Sequence, residues 1–261
     1  MSTARDQIAG LLGRLGARGA ASARRTAATD DLRLEVKGLG PLRFPVSRAQ
    51  AEELCRLARP ARYGRGEETL LDRHVRDTWE VPKSRVKVDR RRFDRTLLPV
   101  LDDLRADLGL PDGCRLRAEL HSLLVYAPGQ FFLPHQDSEK EDEMVGTLVV
   151  TLPSDFRGGA LVVEHRGERA TYGATKGRLS FVAFYADCRH EVRPVKAGYR
   201  IVLTYNLMLE GDATAAAGAG RDQVPPETVE ALAGRLREHF ETPSPPRWAW
   251  QKDAPPGEPP D

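Results

Sequence analysis

The sequence predicts a mainly β domain with flanking helices (α+β), its core a double-stranded β-helix, or jelly-roll. Three observations carry that prediction. From residue 115 to residue 207, short apolar segments recur at regular spacing between Gly-rich turns, the pattern of double-sheet β architectures. Two stretches with helical periodicity precede them. Residues of metal-ligating type stand at both ends of the strand series, and two Greek keys bring such ends together, which favours a jelly-roll over a closed up-and-down barrel.

The elements follow in order. Leu32–Phe44 alternates and is broken by Gly38, Gly40 and Pro41, a hairpin. Ser47 caps a helix running to Leu57, with Ala49, Ala51, Leu54 and Leu57 on one stripe. Gly64–Thr69 reads as a loop and Thr78–Val88 as a strand pair or irregular extended segment. Phe93, Leu97, Leu98, Leu101, Leu104 and Leu108 mark an amphipathic helix that ends near Gly109 and Pro111. Arg115–Tyr126 alternates, placing Leu116, Ala118, Leu120, Leu124 and Tyr126 on one side. A turn at Pro128-Gly129 leads into Phe131–Asp137. After the acidic run Glu139–Glu143 come strands at Val145–Leu152, Gly158–Glu164, Arg178–Tyr185, His190–Val195 and Tyr199–Leu207.

The expected organisation is a lead-in over residues 1–29, a domain over 30–210, and a linker, short helix and Pro-rich tail over 211–261. Residues 1–29 are rich in Arg and Ala. Ile8, Leu11, Leu12 and Leu15 fall at helical spacing, so a helix is expected there rather than an organelle-targeting segment. Ala213–Gly220 is linker-like. Val229, Leu232, Leu236 and Phe240 form one face of a helix over Pro226–Phe240. The tail holds Trp248 and Trp250 and stops abruptly, which suggests a boundary within a longer chain.

Composition narrows the classes. The 261 residues are 40% hydrophobic and 30% charged, with a formal net charge of +2, the profile of an ordinary folded domain. So small a charge gives no argument for nucleic acid or anionic membrane, and no apolar run reaches membrane-spanning length. Cys55, Cys114 and Cys188 are scattered without a CxxC pair, against a disulfide framework or thiolate zinc site. A reducing, cytoplasmic setting is expected. The basic cluster Arg85, Lys87, Arg90, Arg91, Arg92 and Arg95 is interrupted by Asp89 and Asp94 and lacks interleaved aromatics, so it reads as a solvated face.

The chemistry concentrates in four residues. His135 and Asp137 stand one residue apart in FFLPHQDSE, and side chains alternate along an extended segment, so both point to one side. His190, from the next apolar block, adds a second imidazole. Two imidazoles and one carboxylate are the facial set of non-haem Fe(II) sites, with the opposite positions open. Arg200, ten residues later, offers a planar fork suited to a carboxylate entering the same cavity.

These segments resemble a known family. Leu124–Asp137, LVYAPGQFFLPHQD, is similar to the entry and ligand strands of 2-oxoglutarate- and Fe(II)-dependent oxygenases, in the prolyl 4-hydroxylase-like branch. Thr147–Thr151, Gly158–Val163, Gly177–Phe181 and His190–Tyr205 continue the likeness in order, over roughly residues 78–208. The resemblance implies that His135, Asp137 and His190 bind Fe(II). It implies that 2-oxoglutarate is the co-substrate, with Arg200 holding its distal carboxylate, and Tyr126 and Thr147 as helpers. O2 is the oxidant and ascorbate a candidate reductant. The reaction implied is hydroxylation of a C–H bond, in a protein or peptide side chain such as proline, giving succinate and CO2. Val202 departs from the pattern, since many relatives carry Ser or Thr there.

Three other functions compete: an oxidative nucleic-acid demethylase of the same chemistry, a zinc-dependent hydrolase using the same triad, and a binding module that has lost activity. The hydrolase leaves Arg200 without a task. His74, His121, His165 and His239 are expected to be structural, and Arg193 a solvated strand residue.

Overall fold

The computed structural model describes residues 19–65, 68–137, 143–211 and 226–241. Two compact units are distinguished, of which the larger is Arg18–Gly220. In the second, the element described is the helix Pro226–Glu241, close to its predicted bounds. The predicted N-terminal helix, the acidic run 139–142, the linker and the Trp-containing tail lie outside the described residues.

The larger unit is built on two antiparallel sheets. Numbered in chain order, its strands are β1 (Ser22–Ala27), β2 (Leu34–Val36), β3 (Gly40–Pro41), β4 (Arg59–Pro60), β5 (Tyr63–Arg65), β6 (Glu68–Leu70), β7 (Arg76–Asp77), β8 (Trp79–Pro82) and β9 (Val86–Val88). They continue with β10 (Arg115–Tyr126), β11 (Phe131–His135), β12 (Met144–Thr151), β13 (Phe156–Gly158), β14 (Leu161–His165) and β15 (Glu168–Tyr172). The last are β16 (Leu179–Tyr185), β17 (Arg189–Val192), β18 (Val195–Gly198) and β19 (Arg200–Glu210), and the helices are α1 (Arg48–Leu57) and α2 (Arg90–Asp107). One sheet has the order β1-β16-β12-β19-β10-β8-β4 and the other β15-β14-β17-β11-β7. This is the expected jelly-roll.

The central strands of the larger sheet are covered on both faces, which is why they read as continuous apolar runs. Leu148, Val150, Phe181, Ala183, Ile201 and Leu203 face a core shared with Phe93, Leu97, Leu101 and Leu104 of α2 and Leu54 of α1. Their alternates, Val149, Val182, Phe184 and Val202, face the second sheet and pack with Phe132, Leu161, Val163 and Val192. The space between the sheets holds the site.

The helices follow their sequence signals. Ser47 accepts a hydrogen bond from the Gln50 N–H, and Asp89 accepts one from Arg92, each satisfying an end donor of its helix. Ala51 and Leu54 are buried as expected, whereas Ala49 is exposed. Leu98 is also exposed, 58% accessible, and Val100 takes its place on the buried stripe.

Four strand readings are corrected. A β-bulge between Leu120 and Ser122 interrupts β10. Such an insertion reverses the alternation beyond it. Leu116 and Ala118 therefore share a core with Leu123 and Val125, while Leu124 and Tyr126 face the opposite side. On either side of residues 66–67, β5 and β6 pair antiparallel where a loop was read. β8 and β9 do not pair with each other: β8 joins β10 and β9 joins β2. Ser22–Ala27, read as lead-in, is an edge strand on β16.

Candidate active site

β11 and β17 run antiparallel with His135 and His190 as direct register partners. Their rings lie 4.1 Å apart between centroids. β11 ends at His135, so Asp137 sits two residues past the strand, yet its carboxylate returns to both imidazoles. Oδ1 is 3.8 Å from His135 Nε2 and Oδ2 is 3.7 Å from His190 Nε2. The ligating atoms of the three residues all lie within 4.8 Å of one another.

Backbone carbonyls set the imidazole tautomers. His135 Nδ1 is 2.8 Å from the Leu133 carbonyl and His190 Nδ1 is 3.1 Å from that of Cys188. A carbonyl only accepts, so each Nδ1 carries the proton and each Nε2 presents a lone pair toward Asp137. Burial, with His190 nearby, pulls the His135 pKa down to about 3 against the opposing pull of Asp137. A neutral imidazole is the ligating form. Phe132 stacks on His135 at 3.5 Å and Phe184 packs against His190 at 4.5 Å, so apolar rings fix both imidazoles.

Thr147 enters the site differently from its expected role beside a co-substrate carboxylate. Its Oγ1 donates to Asp137 Oδ2 at 2.6 Å, orienting that carboxylate from β12.

Arg200 opens β19 opposite Tyr126 on β10. Only 3% of its surface is accessible, and its guanidinium carbon stands 5.3 Å from the centre of the Tyr126 ring. Burial lowers its pKa, and Tyr126 is its one opposing influence. Among the described residues no carboxylate pairs with it, and Glu191 contacts Arg193. Gly159 makes room for the arginine stem, since a Cβ there would come within 3.0 Å of Arg200 Cδ. An uncompensated buried guanidinium is costly unless an anion joins it.

Both groups open into one cavity of about 440 Å³, which Tyr126, Thr147 and Val202 also line. His121 reaches it as well, whereas His165 groups with Asp187 and Cys188. Cys188 lies by the site, holding His190 through its carbonyl, while burial raises its own thiol to about 11. Arg59, Arg62, Arg76 and Glu80 complete one wall. No spacing rule pointed to these four, because they lie on or beside strands of two to four residues.

The donor set fits Fe(II): two neutral imidazoles and one carboxylate leave further coordination positions for co-substrate and oxidant. Residues 121–208, which contain all three donors and Arg200, match the family model described as 2OG-Fe(II) oxygenase superfamily. The chain carries a 2OG-Fe(II) oxygenase domain. Enzymes of this superfamily are dioxygenases using Fe(II), 2-oxoglutarate and O2. No curated protein matches the chain.

Solved structures similar to this oxygenase include a Pseudomonas putida prolyl-4-hydroxylase, 19% identical over 78% of this chain and 100% of that one, with a TM-score of 0.43. A Trichoplax adhaerens prolyl hydroxylase, in complex with a hypoxia inducible factor oxygen degradation domain peptide fragment, is 15% identical over 84% and 94%, TM-score 0.42. A Burkholderia pseudomallei oxidoreductase of the 2OG-Fe(II) oxygenase family is 18% identical over 77% and 90%, TM-score 0.40.

Proposed function

We propose that this domain holds Fe(II) through His135, Asp137 and His190, anchors 2-oxoglutarate through Arg200, and hydroxylates a C–H bond in a protein or peptide side chain, in the manner of the prolyl 4-hydroxylase-like branch. One observation supports it above the rest: the donor triad and a buried guanidinium with no carboxylate partner among the described residues share a single cavity. Iron and 2-oxoglutarate, when bound, supply O2 activation coupled to decarboxylation of the co-substrate to succinate.

The protein's part is placement. The Leu133 and Cys188 carbonyls keep both imidazoles turned with Nε2 toward the metal position, and Thr147 fixes the carboxylate between them. Arg200 receives the distal carboxylate as a charge-assisted, two-pronged pair in a water-poor setting, where such contacts are strong. Tyr126 supports the guanidinium through its ring, and Val202 supplies apolar wall where a hydroxyl was an alternative. Phe132, Phe184 and Leu161 limit water around the reacting centre.

The predicted cytoplasmic setting remains part of this reading; among the described residues no helix is long and apolar enough to cross a membrane. The test is anaerobic: purified protein with Fe(II) should develop a weak visible charge-transfer band on adding 2-oxoglutarate, and should release succinate when O2 is admitted. His135→Ala should lose both. A wild-type protein that binds Fe(II) yet shows neither signal would refute the proposal.

A further inference from the structure

We propose that Arg62 and Arg76 form a subsite for a carboxylate of the primary substrate, an inference that rests on the oxygenase reading above. The four arginines of the cavity are not equivalent. Arg59 pairs with Glu80 at 3.2 Å, and Arg200 stands ready for the co-substrate. Arg62 and Arg76 make no ion pair among the described residues.

Arg76 is held in a fixed pose. Its Nη1 donates to the Arg62 carbonyl at 2.5 Å, and its guanidinium carbon lies 4.6 Å over the Phe132 ring. Phe132 in turn stacks on His135. The Nε has no hydrogen-bond partner among the described residues but is closed to solvent, so it offers nothing to the cavity directly. Nη2 makes no hydrogen bond among the described residues, and Arg76 lines the cavity. That terminal donor is the one an acceptor from outside the chain would meet.

Charge balance points the same way. A ferrous ion, Asp137, doubly charged 2-oxoglutarate and Arg200 cancel one another, as do Arg59 and Glu80. Among the described residues, two positive charges remain on one wall. A neutral substrate packed there would desolvate them without compensation, whereas a carboxylate matches the guanidinium fork. One aromatic ring separates Arg76 from a metal ligand, so the carboxylate belongs to the residue or small molecule being oxidised, or to its immediate neighbour.

The source is either a free carboxylic acid or an acidic side chain of a peptide. The full chain, loaded with Fe(II) and 2-oxoglutarate under argon, is titrated with two pairs of probes by calorimetry. One pair is N-acetyl-L-glutamate and N-acetyl-L-glutamine; the other is an acetylated alanine tetrapeptide amide carrying a single Glu or a single Gln. At least one acid should bind about tenfold or more tighter than its amide, and the pair that does so identifies the source. Arg76→Gln should reduce that ratio to about one, and Arg76→Lys should restore part of it. The ratio cancels general damage to the protein, and the exposed Arg62→Gln offers a second variant should Arg76→Gln fail to fold. Equal affinity for acid and amide in wild type, or a ratio untouched by both Gln variants, overturns the subsite. Failure of wild type to bind 2-oxoglutarate in the same cell would instead overturn the oxygenase reading.

Discussion

Thr147 donates a 2.6 Å hydrogen bond to Asp137, linking β12 to a carboxylate that lies beyond the end of its own strand. The bond ties that carboxylate to a regular strand of the larger sheet. Thr147→Val keeps the shape and removes the donor, so it should weaken Fe(II) or Mn(II) affinity about 10–100-fold, the usual effect of losing an outer contact to a metal ligand. Thr147→Ser should retain most of it. Metal titration followed by calorimetry decides, and equal affinity in the Val variant would assign Thr147 a packing role only.

Arg200 is charged, buried and unpaired by the described residues. Replacing it with Met removes a desolvated charge, so the metal-free protein should be no less stable than wild type. The same change should weaken 2-oxoglutarate binding by about 100-fold or more, because a charge-assisted pair is lost. Thermal unfolding tests both halves together: 2-oxoglutarate with Mn(II) should raise the melting temperature of wild type and not that of Arg200→Met.

The site was legible where chemistry imposes residue type. A facial metal set needs two imidazoles and a carboxylate, and the spacing of His135, Asp137, His190 and Arg200 survives any detail of strand register. The order of the larger strands was legible as well, because strands buried on both faces are written as unbroken apolar runs such as LVVTL and FVAF. The phase of β10 was not: a bulge at His121 leaves every residue compatible with a strand while reversing which side faces the site. β15 went unread because its residues are partly exposed and polar. Its signal was the Arg166-Gly167 pair, both at positive φ, which closes a tight hairpin with β14. Arg62 and Arg76 lie on or beside strands of two or three residues, too short for any periodicity to place them.

Alkaline pH should destabilise the fold. Burial, with Glu52 nearby, pushes the Cys55 thiol up to about 11, and burial raises the Tyr205 phenol as well. Between the ordinary thiol value and the raised one, the folded chain binds more protons than the unfolded chain. Stability is therefore complete below about pH 8.5 and falls as pH rises toward 11. Urea midpoints measured from pH 8 to 11 should fall steadily, and Cys55→Ser should flatten part of that slope; a midpoint constant across the range would contradict the assignment. Native Cys55 should also alkylate far more slowly at pH 8 than in the unfolded chain.

Gly198 positions Arg200 through backbone geometry. It sits at φ 71° at the end of β18, and a Cβ there would lie 2.0 Å from the Asp155 carbonyl oxygen. Left-handed strain alone costs a side-chain-bearing residue about 1–3 kcal/mol, and the overlap forces β13 and β18 apart in addition. Gly198→Ala should therefore lose about 2–4 kcal/mol in chemical denaturation. Because the turn feeds directly into β19, it should also weaken 2-oxoglutarate binding while leaving Mn(II) affinity within about a factor of three, since the ligands reside on β11, β17 and the segment after β11. Loss of metal and 2-oxoglutarate affinity in equal measure would show that the substitution unfolds the site as a whole.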